Sequence, residues 1–210
     1  MNKNKKRRPD GEYTTPYSYS RWADVGPIFE KVQENYDEDI KPIPEPDFEV
    51  LVTVLSWVLQ SYKTLVSTSD SEAKRIHLIA PILWAVVQHL PNVKVNVEQD
   101  LDGERVHAHS HFEFILTHHC KRICIIEAKK EQFEQGLAQN LLGCEVAADL
   151  DNSHEVFCVT NFEKWIFLKS LDNAIMVDES NTISFTGVPD RTQLKLVVGK
   201  LHSLLLQYCG

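Results

Sequence analysis

Long apolar runs are missing from this 210-residue sequence. The longest, near Val50–Leu59, is interrupted by Thr53, Ser56 and Gln60, far short of the ~20 residues a membrane-spanning helix needs. A membrane is therefore not an expected partner. No apolar segment follows the basic opening Asn2–Arg8, so no secretory signal is expected in this chain. Cysteine is sparse: Cys120, Cys124, Cys144, Cys158 and Cys209 are odd in number, scattered and mostly set in apolar stretches. That pattern does not make a disulfide framework and predicts reduced, buried thiols in an intracellular compartment. Cys120 and Cys124 lack a second such pair, which argues against a structural zinc site. Positive charge is also in deficit, with 22 Lys and Arg against 30 Asp and Glu and a net charge of −8. A protein that coats nucleic acid by neutralising phosphates would carry the opposite balance. A nuclease is not excluded, because its carboxylates hold cations that supply positive charge locally. No internal repeat is visible.

What is present suits an ordinary globular chain, with 43% hydrophobic and 25% charged residues and enough length for one sizeable core. Residues 1–20 are basic and then rich in Tyr, Ser, Thr and Pro, and read as a loosely docked arm. Its Lys/Arg cluster at 3–8 reads as a nuclear-import signal, a nucleic-acid contact or a solvated tail. Residues 21–38 suggest one short helix, and Pro42, Pro44 and Pro46 a stiff linker. Helical spacing then covers about 47–65, with Asp47 as N-cap, and a second helix follows Glu72, with Pro81 expected to kink or split it. From Val93 the period changes to two. Strands are expected at 93–97, 105–116 and 123–128, with Asp102–Gly103 a hairpin turn. A helix at 131–149, strands at 155–160 and 165–169, and a last helix at about 192–208 complete the order. The reading is an α/β (α+β) layer protein: a central mixed sheet flanked by helices, with extra N-terminal helices. Residues 1–46 form the arm and linker, and 47–210 the domain. Trp22, Trp57, Trp84 and Trp165 read as core or staple residues.

The chemistry concentrates on two neighbouring strands. Glu127 and Lys129 share one face at the end of an apolar strand. A carboxylate there can ligate a hard divalent cation, and an amine two residues on can orient or deprotonate a water, or steady a phosphate oxygen. Glu113 interrupts the apolar run Phe112–Leu116, and a carboxylate so placed must face solvent, a partner or a metal. A hairpin between the two strands sets Glu113 beside Glu127, and two close carboxylates repel unless a cation lies between them. Gln135 and Gln139 share a stripe on the following helix, with Gln139 the better placed for a water or phosphate. Glu72 reads either as the acid of a Ser69-x-x-Glu72 capping box or as a helix-borne acid completing the site. The face His107-x-His109-x-His111-x-Glu113 offers a transition-metal alternative.

Taken together, Phe112–Leu116, Ile125–Lys130, Gln135–Gln139, Gly143–Ala148 and Val159-Thr160-Asn161 with Trp165 resemble the nuclease-like C-terminal domains of Crinkler-type proteins of oomycetes and fungi. Those are grouped with the PD-(D/E)XK nucleases. The resemblance spans roughly 70–208. It implies a restriction-endonuclease-like core that binds Mg²⁺ or Mn²⁺ and hydrolyses phosphodiesters of DNA. Glu72, Glu113 and Glu127 are the implied metal ligands, with Lys129 and Gln139 completing the catalytic set. Glu113 stands where that group usually has aspartate, and the proline of the group's name is absent. The secretion signal and translocation region of such effectors are also missing, as in a trimmed domain or a relative that is not exported. The alternative is a nuclease fold without turnover that binds nucleic acid or a host protein, in the host nucleus if it acts as an effector.

Overall fold

The computed structural model describes residues 6–7, 13–14, 30–33, 40–62, 72–102, 109–128, 133, 156–170, 174–185 and 187–209. Within its strands and helices some side chains lie outside the description, those of Glu72, Glu98, His109, His111 and Glu127 among them. Nine strands are described: β1 Lys6–Arg7, β2 Tyr13–Thr14, β3 Glu30–Gln33, β4 Val93–Asp102, β5 His109–His118, β6 Lys121–Ala128, β7 Val156–Thr160, β8 Lys164–Ser170 and β9 Ala174–Thr182. Three helices accompany them: α1 Glu45–Ser61, α2 Glu72–Val87 and α3 Arg191–Leu206. β1 and β2 pair with each other, and the other seven form one mixed sheet in the order β3-β9-β8-β7-β6-β5-β4. Its parallel pairs are β3 with β9 and β6 with β7. The α/β architecture expected from the sequence is what the chain adopts.

Alternation along the strands makes two apolar layers. Phe114, Leu116, Cys124, Ile126, Ala128, Val156, Cys158, Trp165 and Phe167 point to the side where they share one core with α1, α2 and α3. Ile115, Ile125, Val159, Ile166 and Val177 are buried on the other side, so the middle strands read as nearly continuous apolar runs. Leu55 and Leu83 are fully buried where the helices pack. Truncating such a side chain to alanine costs about 2–5 kcal/mol. α1 and α2 run antiparallel: the Tyr62 hydroxyl meets His77 Nδ1 at one end, and His89 Nε2 lies 3.3 Å from Asp47 Oδ2 at the other.

Several expectations are corrected. Within the 21–38 region the described residues Glu30–Gln33 form strand β3 where a helix was expected: they include helix-forming residues, but parallel pairing with β9 overrides that weak preference. The N-cap of α1 is Pro44, not Asp47, so Asp47 sits in the first turn, where its charge suits the helix dipole. α2 continues through Pro81 without a break. Trp165 is buried, but Trp57 and Trp84 are 64% and 57% exposed, not core residues. Cys120 is exposed, whereas Cys124 and Cys158 are buried; burial pushes the Cys158 thiol well above its ordinary range and keeps it protonated. β9 was not anticipated. Among the described residues no helix is long and apolar enough to cross a membrane.

The proline-rich stretch before α1 is packed. Ile43 is buried, the Lys41 N–H donates to Ser203 Oγ at 2.7 Å, and the Lys41 carbonyl lies 2.8 Å from His202 Nδ1. α3 can take this segment because Gly199 has no side chain: a Cβ there would lie 2.5 Å from Ile40 Cγ2. One polar cluster interrupts the helix side of the sheet. Lys200 Nζ donates to Asp178 Oδ2 at 2.8 Å, and Asn181 Nδ2 donates to Asp178 Oδ1 at 3.0 Å, all three buried.

Candidate functional site

Register decides which charged residues meet. β5 pairs with β6 through Phe114↔Ile126 and Ile115↔Ile125, and the same ladder carried one residue further sets Glu113 across from Glu127. Directly opposed residues share a face of an antiparallel pair. Glu113 is 4% exposed, and its Oε2 accepts a hydrogen bond from the Ala128 N–H at 3.0 Å. That N–H belongs to the peptide joining Glu127 to Ala128, so the Glu113 carboxylate reaches the end of β6 where the Glu-x-Lys segment begins. A buried carboxylate is expensive unless it accepts hydrogen bonds or meets a cation, and this one has at least the Ala128 donor.

The other strand next to β5 adds an acid that the sequence reading missed. β4 pairs with β5 through Val97↔Phe114 and Gln99↔Phe112, and the position between those rungs sets Glu98 across from Glu113. Glu98, Glu113 and Glu127 thus occupy one rung of three adjacent strands. The signal was in the sequence: Val93, Val95 and Val97 alternate, so Lys94, Asn96 and Glu98 share the opposite face. Only the hairpin register, which the sequence leaves open, could pair Glu98 with Glu113.

The remaining candidates are placed less fully. Glu72 is the first residue of α2, a helix that packs against β4 and β6; its side chain, like that of Glu127, is outside the description. Lys129, Gln135 and Gln139 lie outside the described residues, as do His107, Cys144 and the Gly136 and Gly143 positions. His109 and His111 stand opposite Asp102 and Asp100 on β4, which gives each imidazole position an acidic neighbour in the ladder. Among the described residues no group of three or more His, Cys, Asp or Glu side chains is arranged to hold a metal ion.

The turn after β7 explains one of the motifs. Asn161 Oδ1 accepts from the Glu163 and Lys164 N–H groups at 3.1 and 2.7 Å, and Thr160 Oγ1 accepts from the Phe162 N–H at 2.9 Å. Phe162 has φ +73°, unusual for a bulky residue, and its carbonyl accepts from the Trp165 indole at 2.9 Å. Thr160, Asn161 and Trp165 are therefore turn-building residues.

No family model matches the chain. Over 197 residues it is 33% identical to Crinkler effector protein 5 of Phytophthora infestans, an alignment covering 93% of this chain and 55% of that protein. The chain is thus similar in sequence to a Crinkler effector protein. The chain spans about half the length of the curated relative it matches, and the likeness runs through nearly all of its elements, beyond the 70–208 region expected from sequence motifs.

Proposed function

We propose that the chain is a metal-dependent phosphodiesterase acting on DNA, of the PD-(D/E)XK kind. The observation that carries the reading is the Glu113 carboxylate, buried and 3.0 Å from the peptide N–H at the head of Glu127-Ala128-Lys129. Support also comes from the ladder, in which Glu98 and Glu127 take the register positions on either side of Glu113. A set of carboxylate oxygens suits a hard cation such as Mg²⁺ or Mn²⁺. Such an ion, when bound, supplies Lewis acidity and a water of lowered pKa. Glu113 and Glu127 are the residues proposed to hold it, and Glu72, which starts a helix packed on the opposite side of the sheet, is proposed to join them around the end of β6. Lys129 is proposed to orient the attacking water or take its proton, and Gln139 to contact that water or a phosphate oxygen.

A second reading has its own support. The net charge of −8 and the similarity to a protein named an effector favour a nuclease fold without turnover, binding nucleic acid or a protein of a host cell, in its nucleus if the basic cluster at 3–8 acts as an import signal. One experiment separates the two: plasmid DNA incubated with the purified chain, with and without Mg²⁺ or Mn²⁺, alongside Glu127→Ala and Lys129→Ala. Metal-dependent cleavage lost in both variants is the expected result. DNA binding that persists in both variants, with no cleavage by the wild type, would replace the enzyme with the binding module.

A further inference from the structure

The face that carries Glu113 is not uniformly acidic. Two rungs along it, Lys94, Thr117 and Arg122 are paired across β4, β5 and β6. Between the two rungs lie Asn96, Ile115 and Ile125. The face thus passes from a cationic rung, through a neutral one, to the rung of Glu98, Glu113 and Glu127. Over the cationic end lies a cavity of about 530 Å³, lined by Lys94, Arg122, His119, Asn92, Asn96 and Thr117, with Ile115 and Cys120 at its edge. Among the described residues that line it there is no carboxylate, in a chain with eight more acidic than basic side chains. Its remaining polar groups include the Asn92 amide and the Thr117 hydroxyl, which can donate to an anion. Asn96 is held in place, its Nδ2 donating to the Ile115 carbonyl at 3.1 Å and to Thr117 Oγ1 at 3.3 Å.

The rim of this cavity is strained. The turn from β5 to β6 has His119 and Cys120 as its central residues, with φ +46° and +68°. A two-residue hairpin turn with positive φ at both positions ordinarily uses Asn-Gly, and each side chain forced there costs of order 1–3 kcal/mol. Asn92, at the start of β4, also has a positive φ of 57°, and its Nδ2 lies 3.4 Å from His119 Nε2. Two turns from different parts of the chain are thereby held side by side at the mouth. Such strain persists where the surrounding structure over-determines it, often at ligand clamps.

We propose that this cavity is a phosphate-binding site, and that the phosphate it takes belongs to a nucleic acid. That the nucleic acid is a substrate rests on the nuclease reading; the affinity for phosphate does not.

The test is fluorescence anisotropy of a labelled duplex oligonucleotide binding the full chain in EDTA, where cleavage cannot occur, across about 50–200 mM salt, the range over which phosphate contacts are lost. Lys94→Ala with Arg122→Ala removes the charge that holds this phosphate and is expected to make the slope of log affinity against log salt shallower by about 0.9, the value for one phosphate. Arg122→Lys, which keeps the charge, is expected to retain the wild-type slope, and its melting curve checks that position 122 tolerates change. Glu49→Gln, on α1 at the other side of the sheet, is expected to leave the slope unaltered. A parallel titration with inorganic phosphate identifies the source: phosphate binding lost in the double variant, with the oligonucleotide indifferent, supports the site but gives it a small anion. If neither probe responds to the double variant, the proposal fails. Metal-dependent cleavage that survives that failure leaves the nuclease reading standing, and a slope change in a chain that never cleaves DNA leaves this site standing without it.

Discussion

The two faces of the central sheet handle polar residues in opposite ways. On the side under α1, α2 and α3, Lys200, Asp178 and Asn181 interrupt an apolar layer and bind one another. On the other side, the wing formed by β4, β5 and β6 carries Lys94, Asn96, Thr117, Arg122 and Glu113 in a row, beside an open cavity. Polar groups that close on each other have an architectural use. Lys94 and Arg122, which line that cavity, are placed for something that arrives from outside. Both sets lie in the same sheet, so the difference reflects what each face is for.

The largest effect that separates the faces is expected at Lys200. Replacing it with Met leaves the Asp178 carboxylate buried without its ammonium, and breaking a buried pair from one side costs about 3–5 kcal/mol. That is a large share of a domain's total stability. Adding Asp178→Leu removes the orphaned charge and should recover most of the loss, since buried pairs replaced together by apolar groups are often neutral. Urea denaturation of the single and double variants measures both. A single variant as stable as wild type would mean that this cluster is not structural, and the contrast between the faces would go with it.

A smaller effect of opposite sign is expected on the other face. If acids at neighbouring ladder positions repel in metal-free protein, Glu113→Gln, which keeps the shape and a hydrogen-bond acceptor for Ala128, raises the melting temperature. The gain is of the ~0.5–2 kcal/mol that relieving a functional site typically gives. Mg²⁺ at about one hundred times its dissociation constant should stabilise the wild type by about 2.7 kcal/mol and the variant much less. Thermal melts with and without Mg²⁺ read both changes. A wild type whose melt ignores Mg²⁺ and Mn²⁺ at millimolar concentration would remove the metal from the proposal.

Much of this contrast was legible in the sequence, because period-two alternation specifies a face without any knowledge of the fold. Glu113 stood out as a carboxylate inside Phe112–Leu116, and the hairpin that sets it opposite Glu127 follows from short-range pairing. Features that depend on distant partners were not legible. β9 contains Asp178 and Glu179 in mid-strand, charges that discourage a strand reading until Lys200, 22 residues on, is seen to meet Asp178. β3 is made of residues that favour helices and becomes a strand only because β9 lies beside it. Glu98 had no visible role until the register set it across from Glu113. His119 and Cys120 lack the Asn-Gly signature of the turn they form, so the cavity rim was equally hidden. Trp57 and Trp84 illustrate the reverse limit: residue type suggests burial, but on these helices they face outward.

The smallest expected effect lies outside both faces, at the clamp between α1 and α3. The Arg191 guanidinium donates to both carboxylate oxygens of Glu49, and Lys195 pairs with Glu45 one turn away. The hydrogen bond from Arg191 holds the Glu49 carboxyl below its ordinary value, and Glu49 in turn raises Arg191. A depressed carboxylate contributes stability that is fully present above its unfolded pKa of about 4.3 and is lost as pH falls through the lower folded value. Both groups are exposed, so screening keeps the contribution small. Wild type and Glu49→Gln should therefore differ slightly in urea midpoint at pH 7, differ less with each step below about pH 4.3, and converge in high salt at any pH. The Lys200 pair, buried, should show no such convergence in salt. A Glu49 effect that matched Lys200 in size or ignored salt would mean that the α1–α3 seam, and not the underside of the sheet, is where this fold keeps its structural charges.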